Sequence, residues 1–302
     1  MKNRLSLKKH LQSADFRSKI IDAAGGAIPI FEWRFKNMKI THYIYNAFLI
    51  ETPEKKIAID PGALFFYWFR FTTVIPKTEW AGITHIFVTH GDPDHYWHAD
   101  RVAKASGAPV ICNKTMMRNV GGEDVFLGPR AKGLRFTTRF ENYRTLSVDE
   151  TIQVDGMSIT GIKTKHGTLQ LKLFGPLKKT VEPGPNERIG WGSLGFEITL
   201  DGKKIINFGD TMLHEKEWEG LKEPHVVMIP IGGREVRNTM NEDEALQAVE
   251  RMRPKLVIPC HYNSPGLFSK SLNPADARYF KREVEKMGSR CEIMNRGDSI
   301  EV

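Results

Sequence analysis

The chain has 302 residues, of which 40% are hydrophobic and 26% are charged, and its formal net charge is +8. This apolar fraction is enough to build a buried core and excludes a chain that is disordered throughout. Three cysteines, at positions 112, 260 and 291, are too few and too scattered for a disulfide framework, so we expect a reducing, cytoplasmic environment. No apolar stretch reaches the roughly 20 residues of a membrane span, so we expect no integral membrane segment.

The basic excess is concentrated near the N-terminus. Residues 1–36 contain eight basic and three acidic residues, which account for five of the eight net positive charges. We interpret residues 1–38 as a basic arm that packs on a domain formed by residues 39–302. A basic arm can also bind nucleic acid or an anionic membrane surface, although no nucleic-acid-binding motif accompanies this one.

From residue 39 onward, β-type segments alternate with a few helical ones. Strands are predicted at 40–50, 56–60, 83–89, 109–112, 146–154, 157–164, 194–200, 203–208, 225–231, 255–259 and in the tail 291–302, and helices at 96–106, 242–252 and 274–287. The pairs Asp155-Gly156 and Asp201-Gly202 predict hairpins, whereas 118–145 and 167–191 have the composition of loops. Hairpins open each half and strand–helix–strand units follow. This order predicts an α/β (α+β) fold with two mixed sheets packed face to face and helices outside.

The segment His90-Gly91-Asp92-Pro93-Asp94-His95 holds four potential metal ligands directly after a predicted strand. Imidazole and carboxylate groups suit zinc, iron or manganese, and glycine and proline favour a tight loop that turns side chains together. His166, Asp210 and His261 also follow predicted strands. If these strands run in the same direction, all of these ligands gather at one edge of the sheets, and they suffice for two metals with an open position for water.

The order of these residues resembles the metallo-β-lactamase fold superfamily, and the resemblance extends to other segments. These are Ile59-Asp60-Pro61-Gly62, Gly209-Asp210-Thr211, 229–233, Thr239-Met240, Glu244-Ala245, 258–263 and 295–300. Those from Gly209 onward resemble the metal-dependent hydrolase branch that includes ascorbate-6-phosphate lactonase-like proteins. The resemblance covers residues 39–302 and implies a four-layer αββα sandwich.

The resemblance also implies a role for each ligand-type residue. It assigns one metal to His90, Asp92 and His166, a second metal to Asp94, His95 and His261, and a bridging position to Asp210. By the same resemblance, Asp60 orients the ligand loop rather than binding metal.

Asp92 departs from the superfamily pattern, which usually has histidine at this position. A carboxylate adds negative charge and shifts the preference of the first site from zinc towards manganese or iron. Flavodiiron proteins of the same superfamily resemble this chain at that position, but we expect this chain to lack their flavodoxin domain. We expect two divalent metal ions, with zinc as the first choice and manganese or iron as alternatives. The other interpretation is a single ion at the second position.

Such a site predicts hydrolysis, because a hydroxide held by two cations forms near neutral pH and can attack a carbonyl carbon or a phosphorus atom. The predicted catalytic residues are Asp94, which would orient this nucleophile, Asp210, and His214, which would protonate the leaving group. Tyr262 is a second candidate for that proton and for substrate contact. Arg234 would bind a small anionic substrate, or else it lies on the solvated surface.

Residues 65–71 hold six aromatic side chains in seven positions, directly after the Asp60 loop. They predict a buried element, a wall of the substrate pocket, a contact in a homo-oligomer or a shallow membrane contact. Our first functional hypothesis is a metal-dependent hydrolase of an ester, lactone, amide or phosphodiester bond. The alternatives are a nuclease or phosphodiesterase helped by the basic arm, and a non-catalytic metal- or ligand-binding protein on the same scaffold.

Overall fold

The computed structural model describes residues 38–63, 73–117, 140–172, 178–183, 189–265 and 271–302. The basic arm, most of the aromatic run and most of the predicted loop 118–145 lie outside these residues. The division into an arm and a domain, and the roles predicted for the arm and the aromatic run, therefore stay predictions.

The described residues form short strands and five α-helices. The strands are β1 (Lys39–His42), β2 (Phe48–Glu51), β3 (Lys56–Ile59), β4 (His85–Val88), β5 (Val110–Asn113), β6 (Tyr143–Leu146), β7 (Thr151–Val154), β8 (Met157–Ile162), β9 (Leu169–Lys172), β10 (Lys178–Val181), β11 (Gly195–Leu200), β12 (Lys203–Asn207), β13 (Val226–Pro230), β14 (Leu256–Cys260), β15 (Ser264–Pro265), β16 (Ser271–Leu272), β17 (Arg290–Cys291) and β18 (Ser299–Glu301). The α-helices are α1 (Pro93–Tyr96), α2 (Ala99–Ser106), α3 (Gly233–Val236), α4 (Glu242–Met252) and α5 (Ala277–Lys286), and 3-10 turns span Lys77–Glu79 and Lys114–Met117. Within the described ranges, no helix has the length and apolar character needed to cross a membrane.

Most of these strands belong to two seven-stranded sheets. The first has the spatial order β18-β1-β2-β3-β4-β5-β6 and changes from antiparallel to parallel pairing at β3. The second has the order β17-β14-β13-β12-β11-β8-β7 and changes from parallel to antiparallel pairing at β12. Both sheets are therefore mixed, as predicted.

Alternating side chains within the strands build three apolar layers. In β3, Ile57 and Ile59 face a core shared by the two sheets, while Ala58 lies in the layer beside α2. In β13, Met228 belongs to the shared core and Val227 to the layer beside α4 and α5. The order of layers is therefore helix, sheet, sheet, helix, which confirms the predicted αββα sandwich.

Both Asp-Gly pairs form the predicted hairpins. Asp155 and Gly156 have φ angles of 47° and 79°, and Asp201 and Gly202 have φ angles of 51° and 75°. Positive φ at both central residues gives a two-residue turn the same twist as its strands. The turns join β7 to β8 and β11 to β12 with the register that the pairs predict.

Helix boundaries follow the caps. Helix α4 has the predicted bounds because Asn241 and Glu244 cap each other's backbone N–H groups. Helix α5 begins three residues after its predicted start, because the Asp276 side chain accepts from the backbone N–H of Tyr279 and fixes the first turn there.

Some predicted strands and loops are wrong in their extent. The segment 40–50 is a hairpin rather than one strand, since the backbone N–H of Tyr43 donates to the carbonyl of Ala47 and reverses the chain. The segment 146–154 contains parts of two strands in different sheets, because the chain crosses from β6 to β7. The predicted loop 167–191 contains the hairpin β9–β10.

Strand direction brings the ligand segments to the ends of the sheets. Strands β3 and β4 are parallel, β12, β13 and β14 are parallel, and β8 runs with β12 because both are antiparallel to β11. The carboxyl ends of β3, β4, β8, β12 and β14 precede Asp60, His90, His166, Asp210 and His261, respectively. The shared strand direction that the metal prediction required is therefore present.

A buried pair of asparagines joins the two sheets next to this edge. Asn46, between β1 and β2, donates to Asn207 Oδ1 at 2.8 Å, and Asn207, the last residue of β12, donates back to Asn46 Oδ1 at 2.9 Å. Asn46 Nδ2 also donates to Asp60 Oδ2 at 2.7 Å. Both asparagines are 0% exposed, so their polar groups depend on one another rather than on water.

We expect Asn46→Ala to lower the free energy of unfolding by about 1–3 kcal/mol, because it removes two buried hydrogen bonds to Asn207 and one to Asp60. Urea denaturation of the wild-type and variant chains, both stripped of metal, would measure the change. The matched control is Asn142→Ala, at an exposed position, where the change should stay within about 0.5 kcal/mol. Equal losses in the two variants would contradict the role assigned to Asn46.

Candidate metal centre

The Asp60 carboxylate is buried at the end of β3 and accepts four hydrogen bonds. Its Oδ1 accepts from the backbone N–H of Thr89 at 2.8 Å. Its Oδ2 accepts from the Thr89 hydroxyl at 2.6 Å, from Asn46 at 2.7 Å and from His95 Nδ1 at 2.7 Å. These bonds use the capacity of the carboxylate, so Asp60 holds neighbouring groups in place and has little left to offer a metal ion.

Three histidines present Nε2 with a free lone pair. His95 Nδ1 donates to Asp60, and His166 Nδ1 donates to the Gly167 carbonyl at 2.7 Å. His90 Nδ1 lies 3.0 Å from the Thr89 hydroxyl, whose own proton goes to Asp60, so Nδ1 is the donor there as well. An acceptor at Nδ1 keeps Nε2 unprotonated in the neutral ring, which is the form that binds metals.

The Nε2 atoms converge on the carboxylates at the strand ends. Asp92 Oδ2 lies 3.5 Å from His90 Nε2 and 3.3 Å from His166 Nε2. Asp210 places Oδ1 3.6 Å from His95 Nε2 and Oδ2 3.6 Å from His166 Nε2. The structure therefore brings together His90, Asp92 and His166 with one side of Asp210.

A second group lies on the other side of Asp210. Asp94 Oδ2 is 3.5 Å from His95 Nε2 and 3.3 Å from His261 Nε2, and His261 Nε2 is 3.1 Å from Asp210 Oδ2. Three groups of atoms have the spacing of a metal site: one from His90, His166 and Asp210, one from Asp94, His95 and His261, and one from Asp60, His90 and His95. The third group includes the Asp60 carboxylate, whose oxygens already accept four hydrogen bonds. All seven predicted ligand residues belong to one cluster.

Buried atoms without partners test whether a metal fits this cluster. His90 Nε2, His95 Nε2 and Asp210 Oδ1 have no hydrogen-bond partner in the described part of the chain. Burial of an unpaired polar atom is costly, and these three atoms face one another. Imidazole nitrogen and carboxylate oxygen are ligands for zinc, manganese and iron. The cluster therefore fits a divalent metal.

Among the described residues, the charges of the cluster are compensated from within it. Burial lowers the pKa of His166, but the carboxylates of Asp92 and Asp210 outweigh this effect and raise it to about 10. Burial raises the pKa of Asp94, but His95 and its other histidine neighbour hold it well below its usual range. Among the ion pairs of the described residues, these carboxylates pair with histidine and not with lysine or arginine.

Helix α1 and a later loop position the carboxylates of the His90–His95 segment. Pro93 begins α1, and the helical turn directs Asp94 and His95 into the cluster. The backbone N–H of Gly190 donates to Asp92 Oδ1 at 3.0 Å, so that Oδ2 alone faces the two histidines. The sequence predicts position 190 only as part of a loop, and no local pattern indicates its contact with Asp92.

The sequence analysis also missed the polar side chains that support the cluster. They are Asn46, Thr89, Asn207, Asn238 and Asn273, all buried. Thr89 directly precedes His90, and Asn207 ends the strand before Gly209-Asp210, so their positions were available as signals. Nothing in the sequence marks Asn46, Asn238 or Asn273, because their partners lie far away in the chain.

His214, predicted as an acid, lies beside other residues. Its Nδ1 is 3.6 Å from Glu217 Oε2, and its ring packs near Trp218. Burial lowers its pKa. In the described part of the chain, none of its contacts is with the seven-residue cluster, and its catalytic role stays a prediction.

The two predicted substrate-binding residues have other partners. Arg234 Nε donates at 3.0 Å to Glu242 Oε2, which is 1% exposed, and its guanidinium lies 3.7 Å from Asp243. Tyr262 packs against the apolar layer of α4 and α5, and burial raises the pKa of its phenol to about 12. Substrate contact by either residue therefore stays a prediction.

Gly62 allows α1 to approach the Asp60 loop. A Cβ atom at this position would lie 1.8 Å from the carbonyl oxygen of Asp94 and 2.5 Å from the backbone nitrogen of His95. We expect Gly62→Ala to lower the free energy of unfolding by about 1–3 kcal/mol through this overlap, as measured by urea denaturation. Gly220→Ala is the control, since nothing lies within 4 Å of its Cβ position. A Gly62→Ala chain as stable as the control would disprove the close approach.

Known proteins are similar to this chain in sequence, and solved structures are similar to it in fold. A metal-dependent hydrolase of the UPF0173 family from Alkaliphilus metalliredigens is 28% identical over 85% of this chain and 97% of its own length. Its counterpart from Methanopyrus kandleri is 29% identical over 87% of this chain and 100% of its own. Among solved structures, a metallo hydrolase from Ignicoccus hospitalis has a TM-score of 0.62 at 22% identity, covering 88% of this chain and 98% of that one.

A structural similarity at 22% sequence identity shows the fold alone. The family of this chain is shown by a separate match. The model of the beta-lactamase superfamily domain matches residues 39–261. This span includes all seven residues of the cluster. The finer resemblance to the ascorbate-6-phosphate lactonase-like branch stays a prediction. The chain belongs to the beta-lactamase superfamily, with the metallo-β-lactamase fold.

Proposed function

We propose that the protein is a metal-dependent hydrolase that works with two divalent metal ions. The observation that carries this proposal is the buried cluster itself, in which carboxylates face His90, His95 and His166, whose neutral rings keep the Nε2 lone pair free. No lysine or arginine in the described part of the chain neutralises these carboxylates. Cations are the groups that compensate such an arrangement.

The distances support the assignment of ligands that the resemblance implies. His90, Asp92 and His166 would hold one metal, Asp94, His95 and His261 would hold the other, and Asp210 would bridge them. Asp92 Oδ2 and Asp94 Oδ2 each lie close to the Nε2 atoms of two histidines. A cation bound beside either oxygen would attract the carboxylate and both histidines. Asp210 supports a bridge because its two oxygens face different histidines.

The exposed side of the cluster is where water and substrate would enter. Asp92 and Asp94 are 13% and 19% exposed, whereas the side chains of His95 and Asp210 are 0% and 2% exposed. When bound, the cations supply the positive charge that lowers the pKa of water and stabilises an oxyanion. From its open position, Asp94 would orient the attacking water towards a carbonyl carbon or a phosphorus atom.

The proposal extends to the identity of the metals and to the type of bond that is hydrolysed. Zinc suits the histidines, and the carboxylate of Asp92 favours manganese or iron at the first position. The substrate is a small molecule with an ester, lactone, amide or phosphodiester bond. The names of the relatives as metal-dependent hydrolases support this reaction class. The nuclease alternative depends on the basic arm, which lies outside the described residues.

We further propose a reducing, cytoplasmic environment. Cys112, Cys260 and Cys291 are the three cysteines of the chain, and all are buried thiols without a disulfide. Thiols that stay reduced are typical of such a compartment.

Metal content tests the two-site arrangement. After anaerobic loading with zinc, manganese or iron, we expect mass spectrometry to find two metals per wild-type chain. His166→Ala and His261→Ala should each lose one metal, and Asp210→Ala should lose both, because it removes the bridge. His225→Ala is the control, since His225 accepts from the backbone of Lys204 at the opposite end of β12 and should keep both metals.

The same preparations test catalysis with chromogenic esters, lactones and phosphodiesters. Asp94→Asn should lower kcat about 10²–10⁴-fold, because it removes the carboxylate that orients the attacking water. Wild-type protein that stays metal-free after loading would contradict the proposal. A metal-loaded chain that hydrolyses nothing would instead favour a binding protein.

Asp92→His tests the origin of metal preference. In a mixture of zinc and manganese, the ratio of bound zinc to bound manganese should rise in this variant, because imidazole is the softer ligand. Total metal at the first position should fall, because the imidazole can bind metal only after it gives up the hydrogen bond from Gly190, and while it accepts that bond its other nitrogen carries the proton. Mass spectrometry measures both quantities, and an unchanged ratio would mean that Asp92 does not contribute to metal selection.

A further inference from the structure

His261 differs from the other histidines of the cluster in the hydrogen-bond partner of its Nδ1 atom. The Nδ1 atoms of His90, His95 and His166 each donate to an oxygen. The Nδ1 atom of His261 lies 2.9 Å from Asn273 Nδ2, which is an amide nitrogen with hydrogens and no lone pair to offer. His261 Nδ1 therefore accepts, and in the neutral ring the proton is on Nε2.

The direction of this hydrogen bond follows from a chain of buried side chains that starts at Asp210. A carboxylate accepts, so Asn238 turns Nδ2 towards Asp210 Oδ2 at 3.2 Å. The Asn238 oxygen then faces Asn273 and accepts from Asn273 Nδ2 at 3.3 Å. The same nitrogen thus reaches His261, and His261 Nε2 returns to Asp210 Oδ2 at 3.1 Å. The four side chains form a closed ring, and each is at most 6% exposed.

We infer that Asn238 and Asn273 are positioning residues that decide which nitrogen of His261 carries the proton. In the ring as it stands, Nε2–H points at Asp210 and Asp94, where a second metal would bind. A metal at Nε2 requires the proton on Nδ1, and Asn273 can meet that proton only with its amide oxygen. Occupation of the second position is therefore linked to a reversal of the Asn273 amide. This inference rests on the proposed function, since it concerns the second metal.

The protonated nitrogen can be read directly and without metal. In protein labelled with ¹⁵N-histidine, stripped by a chelator and held at alkaline pH, two-bond ¹H–¹⁵N correlations distinguish the tautomers, and His261→Gln assigns the signals of His261. We expect Nε2–H in the wild type. Asn273→Asp puts an acceptor in the same place and should change His261 to Nδ1–H. Asn263→Ala changes a neighbouring asparagine that bonds to the backbone of Ala275 and should match the wild type.

The affinity for zinc is a second, independent measurement of the role of Asn273. In a His166→Ala background, where only the second position is expected to bind, Asn273→Leu should weaken zinc binding about 10–100-fold, because the bound His261 loses the partner of its Nδ1. Asn273→Asp should bind zinc at least as tightly as the parent, because it offers Nδ1 an acceptor without the reversal of an amide.

The outcomes separate this inference from the proposed function. Nδ1–H in the stripped wild type, or wild-type tautomer in Asn273→Asp, would overturn the inference whatever the metal content. Equal zinc affinity of Asn273→Leu and its parent would also overturn it. A wild-type chain that binds no zinc would overturn the proposed function, while the tautomer measurement would still decide the role of Asn273.

Discussion

The hydrogen bonds of the Asp60 carboxylate are the interaction on which the rest of the centre depends. One carboxylate joins the end of β3 to the end of β4 through Thr89, to α1 through His95, and to the second sheet through Asn46. Asp60 has a φ angle of 46°, a left-handed conformation that aspartate tolerates better than most residues. A side chain with fewer lone pairs could not hold these donors together. Asp60 thus converts the packing of two sheets into fixed orientations of His90 and His95.

The same fixed orientations explain why the cluster calls for cations. Because Nδ1 of His90, His95 and His166 is committed to an oxygen, Nε2 is left with a lone pair that points at other acceptors. Lone pairs that face carboxylate oxygens repel unless a positive charge lies between them. A proton on His166 supplies such a positive charge, as the raised pKa of this residue indicates. Divalent metals would serve it better, because each can attract several ligand atoms at once.

The sequence predicted that these seven side chains come together, because all of them follow the ends of strands. Local patterns in the sequence reveal short apolar strands, capped helices and the histidine or aspartate that follows a strand. Parallel pairing of the strands then brings their carboxyl ends together. The prediction was weaker wherever partners are distant in the chain. Asn46 and Asn207 are 161 residues apart, and the crossing from β6 to β7 depends on which sheet each strand joins. Arg234 and Glu242 are only eight residues apart, but the burial of Glu242, which draws Arg234 to it, depends on the fold.

Hydrogen-bond direction also explains why a carboxylate suits position 92. The segment that holds Gly190 lies against the His90–His95 loop, since Trp191 accepts from the backbone N–H of Gly91 at 2.8 Å. From there, the backbone N–H of Gly190 donates to Asp92 Oδ1. A carboxylate can accept this bond with one oxygen and still offer the other to a metal. A neutral imidazole that accepted it would carry its proton on the remaining nitrogen, which could then bind no metal. The backbone donor at Gly190 therefore favours aspartate over histidine at this position, independently of which metal the site prefers.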